Sequence, residues 1–127
     1  MKSHHGRIAV VTGAGRGIGQ AAAVAFAERG ATVVGVDIGD LDETGRLVEA
    51  TGAQWLGVTA DVSSPDEVAR MAVQVLQQFG RCDILVNNAG IFPICAFEDL
   101  TFDAWRRVLS INLDSQFLVS KAFVPSM

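Results

Sequence analysis

The sequence predicts an α/β fold in which helices cover both faces of a doubly wound parallel sheet. Short β-branched runs alternate with segments of 3.6-residue periodicity along the 127 residues. The predicted strands are apolar throughout, which is typical of parallel strands that are buried on both faces. Because crossovers between parallel strands are right-handed, strands and helices in this order predict a doubly wound sheet.

The first half of the chain contains three predicted strands and two predicted helices. Gly30 and Gly52 directly follow the two helices, and Gly is the residue most often found in the left-handed conformation that ends a helix. The strands are residues 7–12, 32–37 and 54–60, and the helices are residues 18–29 and 41–51.

The third predicted helix has the clearest boundaries. Ser64 is placed at the N-cap, Pro65 at the first helical position and Glu67 at the third, which predicts a reciprocal capping box. Apolar residues then recur at helical spacing as far as Phe79, and Gly80 ends the helix.

A fourth strand and one long helix are predicted in the remaining part of the chain. Residues 83–87 form the strand, and Thr101 is placed to cap the helix. The apolar side of this helix is expected to consist of Trp105, Val108, Leu109, Leu113 and Phe117.

Composition and charge exclude several classes of protein. A net charge of −4 gives no basic surface for nucleic acid or anionic lipid, and 19% charged residues with 50% hydrophobic residues argue against disorder. No apolar run approaches the ~20 residues of a membrane span, and the N-terminus lacks a secretory apolar region. Cys82 and Cys95 form no metal-binding motif. We therefore expect a cytoplasmic protein without a metal site.

Glycine is concentrated between the first strand and the first helix, in T-G-A-G-R-G-I-G. Glycine lets a backbone approach a ligand closely, and a helix N-terminus offers unpaired N–H groups to an anion. The segment matches G-x-x-x-G-x-G and lacks the Lys-Ser or Lys-Thr of a nucleoside-triphosphate loop. It indicates a pyrophosphate site, although a tight strand-to-helix turn would use the same glycines. The candidate residues are Gly13, Gly15, Arg16, Gly17, Ile18 and Gly19.

Asp37 ends the second predicted strand, 20 residues beyond Gly17. A carboxylate at this position can accept hydrogen bonds from both ribose hydroxyls of an adenosine and repels a 2′-phosphate. Asp37 therefore favours NAD over NADP. Arg16 supports the opposite preference, because a basic side chain in the glycine loop could reach such a phosphate.

Three further motifs follow in order: D-V at 61–62, N-N-A-G at 87–90, and Asn112 in S-I-N-L. With the glycine loop, they resemble the motifs of the classical short-chain dehydrogenase/reductase family over residues 7–127. The resemblance implies a Rossmann-like sheet that is truncated after the fourth strand and the following helix. Residues 1–127 would be the dinucleotide-binding part of a single domain whose C-terminal catalytic half is absent.

The resemblance also implies roles for individual residues. Asp61 and the Val62 backbone would contact adenine, although an Asp here is also typical of an ordinary Asx turn. Asn88, Ala89 and Gly90 would lie along the adenosine ribose.

Asn112 is the catalytic candidate, although a lone buried Asn is usually structural. The resemblance implies that this Asn interrupts the helix and that its backbone carbonyl holds a water in a proton relay. The apolar residues of the next loop either border the substrate site or anchor the loop; they are Ile91, Phe92, Pro93, Ile94 and Phe97.

The activity implied by the resemblance is NAD(H)-dependent interconversion of a small alcohol and a ketone by hydride transfer. The family uses a Ser and a Y-x-x-x-K motif for this chemistry, and the present chain contains no Tyr. Phe117 and Lys121 have the same spacing but belong to the helix that follows Asn112, so we assign them no catalytic role.

The chain alone is therefore expected to be inactive, and a non-catalytic nucleotide-binding module is the alternative. Family members are usually dimers or tetramers, and the resemblance therefore implies a homo-oligomer for the full-length protein.

Overall fold

The computed structural model describes residues 2–127 and contains a four-stranded parallel sheet. The strand order is β3-β2-β1-β4, so the chain first builds outward on one side of β1 and then crosses to the other side. Parallel pairing between each neighbouring pair confirms the predicted doubly wound, Rossmann-like sheet. The strands are β1 (Ile8–Thr12), β2 (Thr32–Asp37), β3 (Trp55–Thr59) and β4 (Ile84–Val86).

The helices alternate with the strands as the sequence predicts. Gly30, Gly52 and Gly80 all have positive φ angles at or just beyond the ends of the first three helices, which confirms their role as helix terminators. The helices are α1 (Gly17–Glu28), α2 (Asp42–Glu49), α3 (Pro65–Phe79), α4 (Phe102–Leu109) and α5 (Ser115–Phe123). Short 3₁₀ turns lie at Phe97–Asp99 and Val124–Ser126.

Two hydrophobic clusters fill the space between the sheet and the helices. Successive strand residues point to opposite faces, so Ala9 and Val33 pack toward α1 and α2, whereas Val10 and Val34 pack toward α3 and α5. The alanines of α1 allow that helix to lie close to the sheet. Every residue of β1 is buried, as expected for the central strand of a covered parallel sheet.

The predicted capping box of α3 forms only in part. The Ser64 hydroxyl accepts a hydrogen bond from the Glu67 N–H at 3.3 Å, as predicted. The reciprocal bond was predicted wrongly, because the Glu67 carboxylate accepts from the Asp61 N–H at 3.2 Å and the Ser64 N–H donates to the Asp61 carbonyl. Glu67 therefore links α3 to the loop that follows β3.

Apolar spacing predicted one long C-terminal helix, whereas the resemblance implied that Asn112 interrupts it; the interruption is present, and the predicted apolar face is wrong. Five residues, Ser110–Asp114, form a π-helical segment between α4 and α5. A π segment inserts residues into the helical repeat and rotates the buried face, so spacing read across it is misleading. Trp105, Leu113 and Phe117 are at least half exposed, whereas Val119 and Phe123 face the core.

A polar link fastens the chain ahead of β1 to the start of β4. The Asp83 carboxylate accepts a hydrogen bond from the Ile8 N–H at 2.8 Å and pairs with Arg81 at 2.9 Å. Arg81 also donates to the Gly6 carbonyl at 2.7 Å. Burial raises the pKa of Asp83, but the Ile8 and Arg81 bonds outweigh this effect and hold that pKa below its ordinary value.

Among residues 2–127, no helix is both long and apolar enough to cross a bilayer.

Candidate functional site

A cavity of about 540 Å³ lies at the carboxyl edge of the sheet, where the loops after β1, β2, β3 and β4 converge. Ligands of open α/β sheets bind at this edge. The structure brings ten of the predicted site residues together here: Gly13, Arg16, Gly17, Ile18, Asp37, Asp61, Val62, Asn88, Ala89 and Gly90. Gly15, Gly19 and Asn112 do not line the cavity but support residues that do.

The N-terminus of α1 opens onto this cavity. Arg16 occupies the N-cap with an extended backbone and makes no side-chain capping hydrogen bond. The first turn contains no acidic residue, and the Ile18 side chain is 80% exposed. Gly17 has a φ of +57°, and a Cβ added to it would meet no atom within 4 Å. The helix therefore presents free N–H groups and a partial positive charge to an anion of the size of a phosphate.

Gly13, Gly19 and Asn88 pack against one another beneath the glycine loop. The Asn88 side-chain amide donates to the carbonyl oxygens of Thr12 at 3.1 Å and Gly13 at 3.2 Å. A Cβ on Gly19 would lie 2.0 Å from the Gly13 carbonyl oxygen and 2.6 Å from Asn88 Nδ2. Asn88 thus joins the loop after β4 to the glycine loop with both of its amide hydrogens.

Thr12 strengthens the same junction from the end of β1. Its buried hydroxyl accepts hydrogen bonds from the N–H groups of Asn88 and Ala89, both at 3.0 Å. It also lies 3.4 Å from the Val86 carbonyl oxygen, to which it donates. The sequence placed Thr12 within the glycine motif but gave no role to its hydroxyl.

Asp37 is oriented by two backbone groups. One carboxylate oxygen accepts from the Gly15 N–H and the other from the Gly39 N–H, each at 2.9 Å. Each carboxylate oxygen can accept more than one hydrogen bond, so both remain able to bind a diol. A Cβ on Gly15 would stand 2.9 Å from the Asp37 carboxylate and 2.7 Å from the Asp40 carbonyl oxygen, which explains the glycine at this position.

Asp61 forms the Asx turn that the sequence left open as an alternative. One of its oxygens accepts from the Ser63 N–H at 2.9 Å and from the Ser63 hydroxyl at 2.6 Å. Asp61 and Val62 nevertheless both line the cavity, and Val62 is buried. The Asx turn therefore holds the backbone of this loop at the cavity wall, beside Asp37, whose carbonyl accepts a hydrogen bond from the Ala60 N–H at 3.1 Å.

Asn112 lies in the π segment and clamps the loop after β4. Its side-chain oxygen accepts from the Ile91 N–H and its amide donates to the Ile91 carbonyl, both at 2.8 Å. The Asn112 backbone carbonyl accepts from the Gln116 side-chain amide at 2.9 Å. The clamp holds Gly90 and Ile91 at the cavity.

Several cavity residues were not singled out in the sequence. Arg107, Ser110 and Ile111 follow the i, i+3, i+4 spacing of one helix face, which could have identified them from their position just ahead of Asn112. Of the apolar loop 91–97, Ile91 lines the cavity, whereas Phe92 and Ile94 are almost fully exposed. The other unpredicted lining residues are Val36, Ile38, Ala60 and Ser63.

Positive and negative side chains occupy distinct parts of the cavity wall. Arg16 lies by the α1 N-terminus, Asp37 after β2, Asp61 after β3 and Arg107 on α4. Within residues 2–127, no group of three or more His, Cys, Asp or Glu side chains is arranged to hold a metal ion. The geometry suits an elongated ligand with one anionic centre and a hydroxylated group.

Comparison with known proteins identifies extensive similarity. The family described as short chain dehydrogenase matches residues 7–127. An uncharacterised NAD-dependent oxidoreductase of Mycobacterium tuberculosis is 37% identical, and the match covers 98% of this chain and 51% of the relative.

Solved structures extend the comparison. A short-chain dehydrogenase of Mycobacterium paratuberculosis bound to NAD is 33% identical with a TM-score of 0.91, over 97% of this chain and 51% of that one. A metagenomic short-chain oxidoreductase in complex with NADP is 38% identical with a TM-score of 0.91, over 98% and 58% of the two chains. The chain thus spans about half the length of these relatives.

Proposed function

The chain belongs to the short-chain dehydrogenase family, and we propose that residues 1–127 are the dinucleotide-binding part of a single oxidoreductase domain. The proposed reaction interconverts a small alcohol and the corresponding ketone. A bound nicotinamide dinucleotide would supply or accept the hydride.

The convergence of four strand-end loops on one cavity carries this proposal. The α1 N-terminus, with Gly17 open toward the ligand, would hold the pyrophosphate. Asp37 would accept the adenosine ribose hydroxyls, and Asp61 with the Val62 backbone would contact adenine. Asn88, Ala89 and Gly90 would lie along the ribose. These residues fit an adenine dinucleotide because the positive helix end and the carboxylate line the same cavity.

We propose NAD as the cofactor, with NADP as the less favoured alternative. The Gly15 and Gly39 N–H groups fix the Asp37 carboxylate, so a 2′-phosphate would meet an oriented negative charge. NADP is the alternative because NADP-bound and NAD-bound relatives both occur and because Arg16 lines the cavity.

Calorimetric titration of the chain with NAD and NADP tests the cofactor proposal. We expect tighter binding of NAD, and we expect Asp37→Ala to weaken NAD and to reduce the discrimination about tenfold, equivalent to one lost charge-assisted hydrogen bond. Asp40→Ala is the matched control, because Asp40 lies outside this cavity. Equal binding of both cofactors by the unmodified chain would contradict the proposal.

Asn112 is the one residue of this segment to which we assign a catalytic role. Its backbone carbonyl has a second lone pair beside the Gln116 contact, and we propose that this lone pair holds a water of the proton relay. The chain has no Tyr to act as the general acid, so we expect no turnover from the 127-residue chain. Steady NADH formation by the purified chain with alcohols would contradict this expectation.

The absence of Tyr also supports a second candidate, a non-catalytic nucleotide-binding module. The two candidates differ in the coding sequence beyond Met127. A continuing frame with a Ser followed by Y-x-x-x-K supports the oxidoreductase, and a stop codon supports the module.

For the full-length protein we propose a cytoplasmic homodimer or homotetramer that binds neither nucleic acid nor membrane. The exposed apolar side chains of Trp105, Leu113 and Phe117 on the α4–α5 helix support an interface there. Sedimentation of the full-length protein measures its oligomeric state, and a monomer at micromolar concentration would contradict the proposed assembly.

A further inference from the structure

All four polar backbone groups of Ala14 and Gly15 are hydrogen-bonded to other elements. The Ala14 N–H donates to the Val36 carbonyl at 3.1 Å, and the Gly15 carbonyl lies 3.5 Å from the Gln20 side-chain amide, which donates to it. The remaining two groups, the Ala14 carbonyl and the Gly15 N–H, belong to one planar peptide unit. This peptide lies between Gly13 and Gly17 in the glycine loop, and its N–H faces Asp37.

The Ala14–Gly15 peptide is held at both of its ends. Its carbonyl accepts a hydrogen bond from the Thr44 hydroxyl at 2.8 Å, and its N–H donates to the Asp37 carboxylate at 2.9 Å. Because the peptide is planar, fixing the carbonyl also fixes the direction of the N–H. Rotation of the unit would break both bonds together.

Among these hydrogen-bonding groups, only the Thr44 hydroxyl belongs to α2, and Thr44 has no solvent exposure. Its hydroxyl donates to Ala14 and accepts from the Gln20 side-chain amide at 2.9 Å. A Val at this position would have nearly the same shape but would leave the buried Ala14 carbonyl without this donor. Ala14 and Thr44 both have no solvent exposure, so the loss of this donor would leave a buried carbonyl without a partner.

We propose that Thr44, supported by Gln20, is a positioning residue that acts through the Ala14–Gly15 peptide to orient the Asp37 carboxylate for cofactor binding. Helix α2 contains none of the residues assigned to cofactor contact, and Thr44 gives it a function in the site. The link to cofactor affinity rests on the proposed function, whereas the ordering of the peptide does not.

Amide hydrogen exchange of the 127-residue chain tests the ordering directly. In Thr44→Val we expect the Gly15 amide to exchange about tenfold faster, as for a lost hydrogen bond of about 1.4 kcal/mol. Thr44→Ser should restore protection. Thr51→Val is the matched control, because the Thr51 hydroxyl bonds only to Val48 and Ala53 at the end of α2. Gly15 exchange within twofold of wild type in Thr44→Val would overturn the proposal.

Gln20→Met provides a second variant if Thr44→Val does not fold. It removes the amide that supports the Thr44 hydroxyl but leaves the hydroxyl in place, so we expect about threefold faster Gly15 exchange, or roughly half the free energy of a full hydrogen bond. An unchanged rate in this variant would likewise overturn the proposal.

A double-mutant cycle on NAD affinity, followed by NMR titration, separates positioning from a general loss of stability. We expect Thr44→Val and Asp37→Ala each to weaken NAD about tenfold, and the double variant to lose about tenfold as well, because the two residues act on one peptide. A loss near a hundredfold in the double variant would show independent action and overturn the proposal. Absence of NAD binding by the wild-type chain would instead contradict the proposed function, and Gly15 exchange would still decide the ordering.

Discussion

Replacement of Gly19 by Ala tests whether close packing at the start of α1 shapes the cofactor cavity. An added Cβ would lie 2.0 Å from the Gly13 carbonyl oxygen and 2.6 Å from Asn88 Nδ2. Non-bonded carbon and oxygen atoms rarely approach within 3 Å, so the loop and the helix must separate by about 1 Å. This movement would break the hydrogen bond between Asn88 and Gly13.

Two costs and one gain determine the stability of the Gly19→Ala variant. Overpacking of a closed site costs about 1–3 kcal/mol, and the lost Asn88 bond costs about 1 kcal/mol. Ala favours the helix over Gly by about 1 kcal/mol, which offsets part of this cost. We therefore expect a net loss of about 1–3 kcal/mol in the free energy of unfolding, together with a much weakened affinity for NAD.

Urea denaturation and NAD titration of the same variant measure both effects. The control is Gly52→Ala, because Gly52 has a φ of +86° and a Cβ there would meet no atom within 4 Å. Left-handed strain should destabilise this control by about 1–2 kcal/mol without changing NAD affinity. If Gly19→Ala retains wild-type stability and binds NAD within twofold, then contact between Gly19 and Gly13 does not shape the site.

Three further predictions concern other hydrogen bonds and the two thiols. Glu67→Ala should leave the Asp61 N–H without its acceptor and weaken NAD affinity several-fold, as measured by calorimetry. Glu67→Gln keeps an acceptor and should bind NAD like wild type. Equal losses of affinity in the two variants would contradict a role for the Glu67–Asp61 hydrogen bond. The pKa of Asp83 is lowered in the folded state, so its stabilisation is present above the unfolded pKa of about 3.9 and is lost as the pH falls through the folded value. Asp83→Asn should cost about 1 kcal/mol at pH 7 and flatten the acid limb of stability measured by urea unfolding, and an unchanged acid limb would refute the assignment. Burial raises the pKa of Cys82 to about 11. A thiol reagent at pH 8 should therefore modify only the exposed Cys95 until the chain unfolds. Rapid labelling of both thiols in the folded chain would contradict this prediction.

The sheet was predictable because local signals and the long-range pattern agree. Apolar strands separated by helices that end in Gly30, Gly52 and Gly80 define both the elements and their parallel pairing. Apolar spacing alone did not predict the π segment at Ser110–Asp114, although the resemblance implied that Asn112 interrupts this helix. Its effect appears only when the buried face is observed to pass through Val119 and Phe123.

The candidate site was predictable at its motif residues and not at the residues that orient them. Gly13, Asp37 and Asn88 belong to recognisable spacings after predicted strands, and the structure brings them to one cavity. Thr44 belongs to no such motif, because its partner Ala14 is 30 residues away and the contact depends on how α2 packs. Glu67 formed a plausible local pair with Ser64 in the sequence, yet its carboxylate bonds to Asp61 instead.

The central position of β1 has a consequence for the time at which the sheet can be completed. β1 is synthesised first, yet Ala9 pairs with Ile84, which lies 75 residues later. At roughly 5–20 residues per second, ribosomal synthesis leaves that side of β1 without its partner for about 4–15 s. During this interval β1 and β2 can pair, but the opposite row of β1 backbone groups stays open to chaperones or to other nascent chains. The strand that is most protected in the folded protein is therefore among the most vulnerable while the protein is being made.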